Sequence, residues 1–380
     1  MDSVRLRASW HSLTAHGGQV PLFFYSTLFL ANPDIRQMFP AAMAGQRDKL
    51  MAALGNVVAN VDTLDAAVPF LQQLGRDHRK FAVTAEHYPA VGHALLATLA
   101  HFLGEEWTNE LADDWAAAYK LVADVMMAAA QQRAHAEPAW WEAEVIAHER
   151  RTLDVAVLTV RTEPAIPYLA GQSVAVETAL RPRVWRYYTP ANAPSPDGTI
   201  ELHVRLVDGG PVSSALVQAV GVGDVLRLGA PVGTNLTVSH SRDVVFVAGG
   251  TGLAPFKALL GQFAGEPFRR RVHLFAGARS GREFYDLAAL SEWQRALPQL
   301  TVVRAVSEDP RFPGEHGDVA DVAARYSSWP DQEIYVCGSP EMVAAGRNRL
   351  RAAGVGAERI HCEDFTTYAG PTELSTKDQL

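Results

Sequence analysis

One stretch of the sequence decides the fold of the C-terminal part of the chain: Val245-Phe246-Val247-Ala248-Gly249-Gly250-Thr251-Gly252-Leu253-Ala254-Pro255. The continuous apolar run Val244–Ala248 predicts a strand that is buried on both faces. A glycine-rich turn and a predicted helix, Ala254–Phe263, follow it directly. Glycines let the backbone approach a pyrophosphate, and a helix N-terminus favours its negative charge. We therefore predict a dinucleotide site at Gly250, Thr251, Gly252 and Pro255.

Downstream of this turn, short apolar runs alternate with helical segments. The predicted strands are Val272–Ala276, Leu300–Val303, Ile334–Val336 and Arg359–Cys362. Strands that alternate with helices predict an α/β domain with a parallel, doubly wound sheet. We expect this domain to span residues 238–372 and a short tail to occupy residues 373–380.

Upstream of the turn, residues 142–237 have an apolar period of two. The predicted strands are Glu144–Ala147, Leu153–Val157, Ser173–Glu177, Ile200–Val204 and Asp224–Leu228. Clusters of glycine and proline separate them. Short strands at this spacing predict a small antiparallel β-barrel.

Two motifs in the barrel region have the chemistry of a flavin site. In Arg186-Tyr187-Tyr188-Thr189, Arg186 can bind a diphosphate, Tyr188 can cover a flat ring and Thr189 can bond its polar edge. About twenty residues later a Gly-Gly turn opens a short helix, whose backbone N–H groups at Gly210, Val212 and Ser213 can bind phosphate. An ordinary strand and an ordinary turn are the alternative interpretation of each motif.

Residues 1–131 have helical apolar spacing and predict an all-α domain of six or seven helices, followed by a linker at residues 132–141. His78 follows Leu71 and Leu74 on the apolar face of one helix. A buried imidazole needs a partner, and haem iron is one, with the other ring nitrogen donating to a carbonyl near Leu74. A core histidine with an ordinary hydrogen bond is the alternative.

Two more polar side chains are predicted to face the core of this domain. Tyr25 lies in the otherwise apolar segment Phe23–Phe29, and Gln46 precedes Leu50 by one helical turn. A phenol and an amide that face a histidine across an apolar slot form a pocket for a bound diatomic molecule. Each residue taken singly is also consistent with simple packing.

These residues, together with Phe39-Pro40 and Glu86–Gly92, resemble the globin domain of flavohaemoglobins. The resemblance implies that His78 ligates the iron of haem b and that Tyr25 and Gln46 form the distal polar pair. It also implies that Phe39 and Leu50 pack on the haem and that Tyr88 belongs to the proximal side. One departure is Ala130, which stands where the family has a glutamate that bonds the proximal histidine.

The remaining 240 residues resemble the ferredoxin-reductase-type module that completes flavohaemoglobins. Cys337-Gly338-Ser339-Pro340 is similar to the motif that lies beside the nicotinamide, which implies that Cys337 and Gly338 contact the cofactor; a buried cysteine before a helix is the alternative. Phe365 corresponds to the aromatic residue against the flavin, whereas Ser173 replaces a tyrosine. The loop residues Arg279, Ser280 and Arg282 leave both NADH and NADPH open.

The resemblance implies an NAD(P)H-dependent nitric oxide dioxygenase. Electrons pass from NAD(P)H through FAD to the haem, and nitric oxide and O₂, the small-molecule substrates, become nitrate. Two alternatives remain: another flavohaem oxidoreductase, motivated by Ala130, Ser173 and the altered tail, or a haem-based oxygen or redox sensor.

Composition agrees with a globular enzyme. The formal net charge of −8 over 380 residues argues against a nucleic-acid partner, because phosphate binding needs a basic surface. The two cysteines exclude a disulfide framework and predict a cytoplasmic protein. No apolar run is long enough to predict an integral membrane segment.

Overall fold

The computed structural model describes residues 1–62, 64–266, 270–326 and 329–363. They divide into two compact units, of which the first contains residues 1–140 and the second begins at Trp141. The predicted aromatic contact at Phe365 lies outside the described residues.

The first unit is all-α, as predicted. Its helices in the described part of the chain are α1 (Ser3–Thr14), α2 (Gln19–Ala31), α3 (Ala44–Ala59), α4 (Leu64–His78), α5 (His87–Leu103) and α6 (Asn109–Ala134). Local chemistry begins and ends several of them: the Asp2 carboxylate caps α1, the Thr108 hydroxyl caps α6, and α5 ends at Gly104, where φ is +51°. Helix α6 continues to Ala134, three residues into the segment predicted as a linker.

The apolar side chains of this unit form two separate clusters. The first joins α1, α2, α3, α5 and α6 around fully buried residues such as Leu28 and Leu99. The second joins α4 and α6 around Leu71 and Met126. Many apolar side chains of α3 stay half-buried, including Leu50 and its neighbours. An apolar helix face that its own chain leaves half-covered has room for an apolar ligand.

Helices α4 and α6 are in direct backbone contact at Gly75. A Cβ atom on this residue would lie 2.3 Å from the main-chain oxygen of Met126, closer than any real side chain could approach. Glycine is therefore required at this crossing, three residues before His78. The contact determines where the end of α4 lies relative to α6.

Gly75→Val should destabilise the helical unit by about 1 to 3 kcal/mol, because the side chain would push the two backbones apart. Urea denaturation of the full chain, followed through its helical signal, measures this change. Gly45→Val is the matched control, since nothing lies within 4 Å of a Cβ at Gly45 in α3. Equal stabilities for the two variants would contradict the steric argument.

The second unit begins with an antiparallel barrel, which confirms the predicted fold class. Its strands are β1 (Trp141–Arg150), β2 (Val155–Thr162), β3 (Val174–Thr178), β4 (Arg186–Tyr188), β5 (Thr199–Arg205) and β6 (Val225–Leu228). They pair in the order β4-β3-β6-β1-β2-β5. A bridge between Pro190, just after β4, and Leu202 of β5 brings the two edges together and nearly closes the barrel. Helix α7 (Pro211–Gln218) packs against its core.

A parallel sheet follows, and it has the predicted α/β alternation. Its strands are β7 (Val244–Gly249), β8 (Val272–Ala278), β9 (Leu300–Val306), β10 (Glu315–His316), β11 (Glu333–Cys337) and β12 (Ile360–Cys362). The helices are α8 (Ala254–Ala264), α9 (Leu287–Ala296), α10 (Val319–Tyr326) and α11 (Pro340–Ala352). The strand order is β10-β9-β8-β7-β11-β12. Strand order therefore reverses between β7 and β11, and such a switch point is where open α/β sheets bind ligands.

Among the described residues, no helix is both long enough and apolar enough to cross a membrane.

Candidate functional site

His78 is the last residue of α4, and its ring is held by the helix itself. Nδ1 donates a hydrogen bond of 2.7 Å to the main-chain oxygen of Leu74, the carbonyl expected from the helical spacing. A carbonyl only accepts, so Nδ1 carries the proton and Nε2 keeps its lone pair. Burial lowers the pKa of His78, while the bond to Leu74 acts in the opposite direction. The ring is thus a neutral imidazole that has the tautomer needed to ligate a metal through Nε2.

The partner of His78 Nδ1 in the described part of the chain is a main-chain carbonyl, that of Leu74, and not a carboxylate. Ala130 lies half-buried on α6, and its methyl group cannot accept a hydrogen bond. A carbonyl partner gives a ligating imidazole less negative character than a carboxylate does.

Tyr25 lies in the first apolar cluster and is only 6% exposed. Its hydroxyl donates to the main-chain oxygen of Gln46 at 3.3 Å. Burial raises the pKa of Tyr25 well above that of an ordinary phenol, and a hydrogen bond with Gln46 partly offsets this. The phenol therefore stays protonated and available as a donor. Its ring meets Phe39 edge-on, with centroids 5.5 Å apart.

The remaining predicted residues of this unit are distributed over the two apolar clusters. Phe39 and Leu50 are half-buried at the edge of the first cluster, and Tyr88 is half-buried at the edge of the second. The main-chain oxygen of Tyr88 accepts a 2.6 Å hydrogen bond from the Tyr119 hydroxyl, and burial raises the pKa of Tyr88. Half-covered apolar side chains, a neutral imidazole and a buried phenol donor fit a haem with a polar distal group.

His78→Ala should abolish haem retention by the full chain, because it removes the imidazole and leaves the fold of α4 intact. Soret absorbance per mole of purified protein measures the loss, and added imidazole should restore part of it. His93→Ala is the control, since His93 is exposed on α5. Full haem content in His78→Ala would rule out His78 as the ligand.

In the barrel, the predicted flavin motif forms the edge strand β4. Tyr188 pairs with Val174 of β3 and packs half-buried on the barrel core, and burial raises its pKa. The Thr189 hydroxyl lies 2.8 Å from that of Ser173, and both residues are buried. Ser173, which stands where a tyrosine was expected, therefore holds Thr189 in place.

The N-terminus of α7 is organised around Gly210 and Ser213. The Ser213 hydroxyl donates to the Gly210 carbonyl at 3.2 Å and accepts from the Val207 N–H at 3.2 Å. A Cβ on Gly210 would meet this hydroxyl at 2.6 Å. Val212 is fully buried, so only its main chain can reach a ligand. The Gly210 N–H donates to the Val207 carbonyl at 2.9 Å, so a phosphate at this helix N-terminus would bind through the N–H groups of Val212 and Ser213.

Arg186→Leu should weaken FAD binding by about 10- to 100-fold, because charge-assisted hydrogen bonds contribute about 1.5 to 3 kcal/mol. Titration of flavin into flavin-free protein gives the dissociation constant. Arg181→Leu is the control, since Arg181 is exposed and its Nη1 contacts the neighbouring Leu180 carbonyl. If both variants bind FAD equally well, the role assigned to Arg186 is wrong.

At the switch point of the parallel sheet, the loops that follow β7 and β11 are in contact. A Cβ on Gly252 would lie 2.2 Å from the main-chain oxygen of Cys337, and one on Gly249 would meet Met342 Sδ at 2.9 Å. Gly250 has a φ of +55°, which favours glycine. These positions bring the predicted residues Gly250, Thr251, Gly252, Pro255, Cys337 and Gly338 to one end of the sheet.

Cys337 is buried and protonated. Burial raises its pKa to about 12, and the charge of Glu363 acts in the same direction. A thiol with this pKa is a small side chain at neutral pH rather than a nucleophile. Glu363 itself is buried, and its carboxylate lies against Gly233. Sequence reasoning did not select Glu363, although it stands two residues before Phe365.

A small pocket opens at the carboxyl ends of β7 and β8. It is lined by Gly250, Gly277 and Glu283, among other residues. Arg279, one of the loop residues that leave both NADH and NADPH open, pairs with Glu283 at 3.3 Å. A carboxylate in such a pocket can accept hydrogen bonds from ribose hydroxyls, whereas it would repel a 2′-phosphate.

The comparisons with known proteins agree with this division of sites. The Globin family model matches residues 22–126, the oxidoreductase FAD-binding domain matches 142–236, and the oxidoreductase NAD-binding domain matches 246–348. The flavohemoprotein of Bordetella parapertussis is 29% identical over 394 residues, which cover 95% of this chain and 97% of the relative.

Two solved structures share the fold. A flavohemoglobin from Malassezia yamatoensis with bound FAD and heme has a TM-score of 0.77 at 19% identity, covering 96% of this chain and 98% of that one. The flavohem-like FAD/NAD-binding domain of a nitric oxide dioxygenase from Vibrio cholerae has a TM-score of 0.54 at 21% identity, covering 59% and 97%. Haem, FAD and NAD(P)H are the cofactors for which the two units are built. The chain belongs to the flavohaemoprotein family of NAD(P)H-dependent oxidoreductases.

Proposed function

We propose that this chain is a nitric oxide dioxygenase, which uses NAD(P)H, O₂ and nitric oxide and forms nitrate. One observation carries the proposal: a neutral imidazole and a buried, protonated phenol belong to one apolar helical unit, and the same chain supplies a flavin and dinucleotide module. The neighbour from Vibrio cholerae, whose name contains this activity, supports it.

When bound, FAD would convert the two-electron chemistry of NAD(P)H into single electrons, and haem would supply the iron at which O₂ and nitric oxide react. The residues of this chain hold and orient those groups. His78 would hold the iron through Nε2, because its Nδ1–H is fixed on the Leu74 carbonyl. The apolar side chains at Phe39 and Leu50 would exclude water from the same slot.

Tyr25 would supply the hydrogen bond to a diatomic ligand. Its raised pKa keeps the proton on the hydroxyl, and its present acceptor is a main-chain oxygen at 3.3 Å, a long hydrogen bond. Exchange of that acceptor for a ligand oxygen costs little. Gln46 would position the phenol through its main chain, and Tyr88 would pack on the proximal side with its backbone held by Tyr119.

In the reductase module, Arg186, Tyr188 and Thr189 would bind FAD together with the turn at Gly210, Val212 and Ser213. The loop that includes Gly250 and Gly252 would bind the dinucleotide pyrophosphate, beside Cys337 and Gly338. A protonated Cys337 would not act as a nucleophile toward the nicotinamide. The pairing of Arg279 with Glu283 favours NADH over NADPH. Both cysteines are free thiols, which fits a cytoplasmic location.

A second candidate function is a flavohaem oxidoreductase with a different electron acceptor. The observation that favours it is the carbonyl partner of His78, together with an alanine at position 130. Less electron density on the imidazole would favour ligand exchange and one-electron transfer over oxygen chemistry.

Purified protein loaded with haem and FAD should consume nitric oxide in air when NADH is added, with nitrate as the product. NADPH should be the poorer donor. Rapid NADH oxidation in air without nitric oxide consumption would exclude the dioxygenase and favour the second candidate. A nitric oxide electrode and nitrate analysis separate these outcomes.

Tyr25→Phe should release O₂ about 10-fold faster, because it removes one hydrogen bond from the ligand. Flash photolysis or ligand displacement measures the rate. Tyr326→Phe, an exposed tyrosine of α10, is the control. An unchanged off-rate in Tyr25→Phe would show that the phenol only packs in the core.

A further inference from the structure

The barrel strand β5 has two different faces. The side chains that point into the barrel core are at most 1% exposed: Ile200, Leu202 and Val204. The alternate side chains are charged or polar: Glu201, His203 and Arg205. An alternating strand of this kind normally presents its polar face to water. Here His203 is only 4% exposed, because the nucleotide-binding part of the second unit covers that face.

Lys257 is the centre of this contact. It lies in the first turns of α8, is 9% exposed, and its Nζ donates to Glu201 of β5 at 2.6 Å and to Asp286 at 2.8 Å. Asp286 precedes α9 and is 3% exposed. One ammonium thus bridges a carboxylate of the barrel and a carboxylate of the nucleotide-binding part.

Further hydrogen bonds and ion pairs surround the bridge. The Tyr285 hydroxyl donates to His203 Nδ1 at 2.7 Å, so His203 Nε2 carries the proton that it donates to Glu201 at 2.6 Å. His203 is neutral, since burial lowers its pKa. The Lys257 ammonium faces both carboxylates, and Arg151 lies between Asp286, 3.5 Å from its Nη1, and Glu149, 3.0 Å from its Nη2. Loss of one partner of a buried ion pair leaves an uncompensated charge.

The same three side chains have the geometry of a metal site. One ligand atom each from Glu201, His203 and Asp286 lies within 4.8 Å of the other two. The Lys257 ammonium lies within hydrogen-bond distance of both carboxylates, where a cation would be bound. The Lys257 ammonium therefore lies between the two carboxylates, as a divalent cation does in a metal-bridged interface.

This bridge is built into the helix that follows the dinucleotide turn. Lys257 comes four residues after Leu253, the end of the turn that begins at Gly250. The position of a Cβ on Gly250 lies 3.0 Å from Nη1 of Arg205, another residue on the polar face of β5. Strand β5 therefore contacts both the turn and its helix.

We propose that Lys257 is a positioning residue for hydride transfer from NADH to the flavin, because its ammonium fixes the dinucleotide turn and α8 against β5 of the barrel. This inference rests on the flavin-reductase part of the proposed function. Hydride transfer needs the nicotinamide within about 3 to 3.5 Å of its acceptor, so a small displacement of α8 slows the step.

The test compares Lys257→Met, which has similar length and no charge, with Lys257→Arg and with the control Arg271→Met. Arg271 pairs with Asp243 at an exposed site in the same part of the chain. Hydride transfer is followed anaerobically, without nitric oxide, as the loss of oxidised-flavin absorbance in a single turnover of the full chain. Failure of the nitric oxide chemistry would therefore leave this measurement unaffected.

We expect Lys257→Met to slow hydride transfer by about 10- to 100-fold at saturating NADH, with the NADH dissociation constant changed less than about 3-fold. Lys257→Arg should recover most of the rate, and Arg271→Met should match the unmodified chain. A lower melting temperature with an unchanged rate per bound flavin would make Lys257 merely structural and overturn the proposal.

A second experiment replaces the Lys257 ammonium with a metal ion. Lys257→Ala leaves the three ligand atoms around a vacated position, so this variant should bind one Zn²⁺ per chain and thereby regain hydride transfer and thermal stability. Lys257→Ala combined with His203→Gln should lose both effects. Absence of Zn²⁺ binding in Lys257→Ala, or binding without recovery of the rate, would overturn the proposal. Isothermal titration measures the binding independently of turnover.

Discussion

The buried ion pairs of Lys257 with Glu201 and Asp286 join the barrel to the nucleotide-binding part of the second unit. Each predicted site of this module lies in one of the two parts: the predicted flavin residues lie on the barrel, and the glycine turn follows a strand of the parallel sheet. Contacts between the parts therefore set their distance, and this bridge adds charge specificity to the apolar cluster that the two parts share around Val157 and Phe256. A buried charge network tolerates few alternative arrangements, because each displaced partner would leave a charge without compensation.

In the helical unit, a steric contact between two helices positions His78. Gly75 lets α4 touch the backbone of α6, and the helical hydrogen bond to Leu74 then orients the His78 ring three residues later. The hydrogen bond to Leu74 is local, so helical spacing predicts it, whereas the contact of Gly75 with Met126 is tertiary and no local spacing reveals it. The distal side is less predictable, since the Tyr25 hydroxyl donates to the main-chain oxygen of Gln46, an acceptor that every residue carries. Helical periodicity specifies which face a residue occupies, but the choice between a side chain and a nearby carbonyl depends on how α2 and α3 pack.

The order of elements in the second unit also follows from the sequence. Alternation with a period of two predicts the barrel strands, and continuous apolar runs predict the parallel sheet that the structure contains. Sequence reasoning could not find the hydrogen bond between Ser173 and Thr189, because β3 and β4 must first pair in the observed register. The ion pair between Arg279 and Glu283 likewise depends on the conformation of the loop after β8.

The three domain types, the apolar face of α4 that carries His78 and the glycine turn after β7 therefore follow from the sequence, because each depends on periodicity or on residues within a few positions. The burial of Glu201 and His203, by contrast, follows from tertiary packing alone. Their alternation along β5 predicts exposure, and they are covered because another part of the chain, more than fifty residues away, places Lys257 and Asp286 against them. Burial of a charge depends on its three-dimensional neighbours, and no local pattern contains that information.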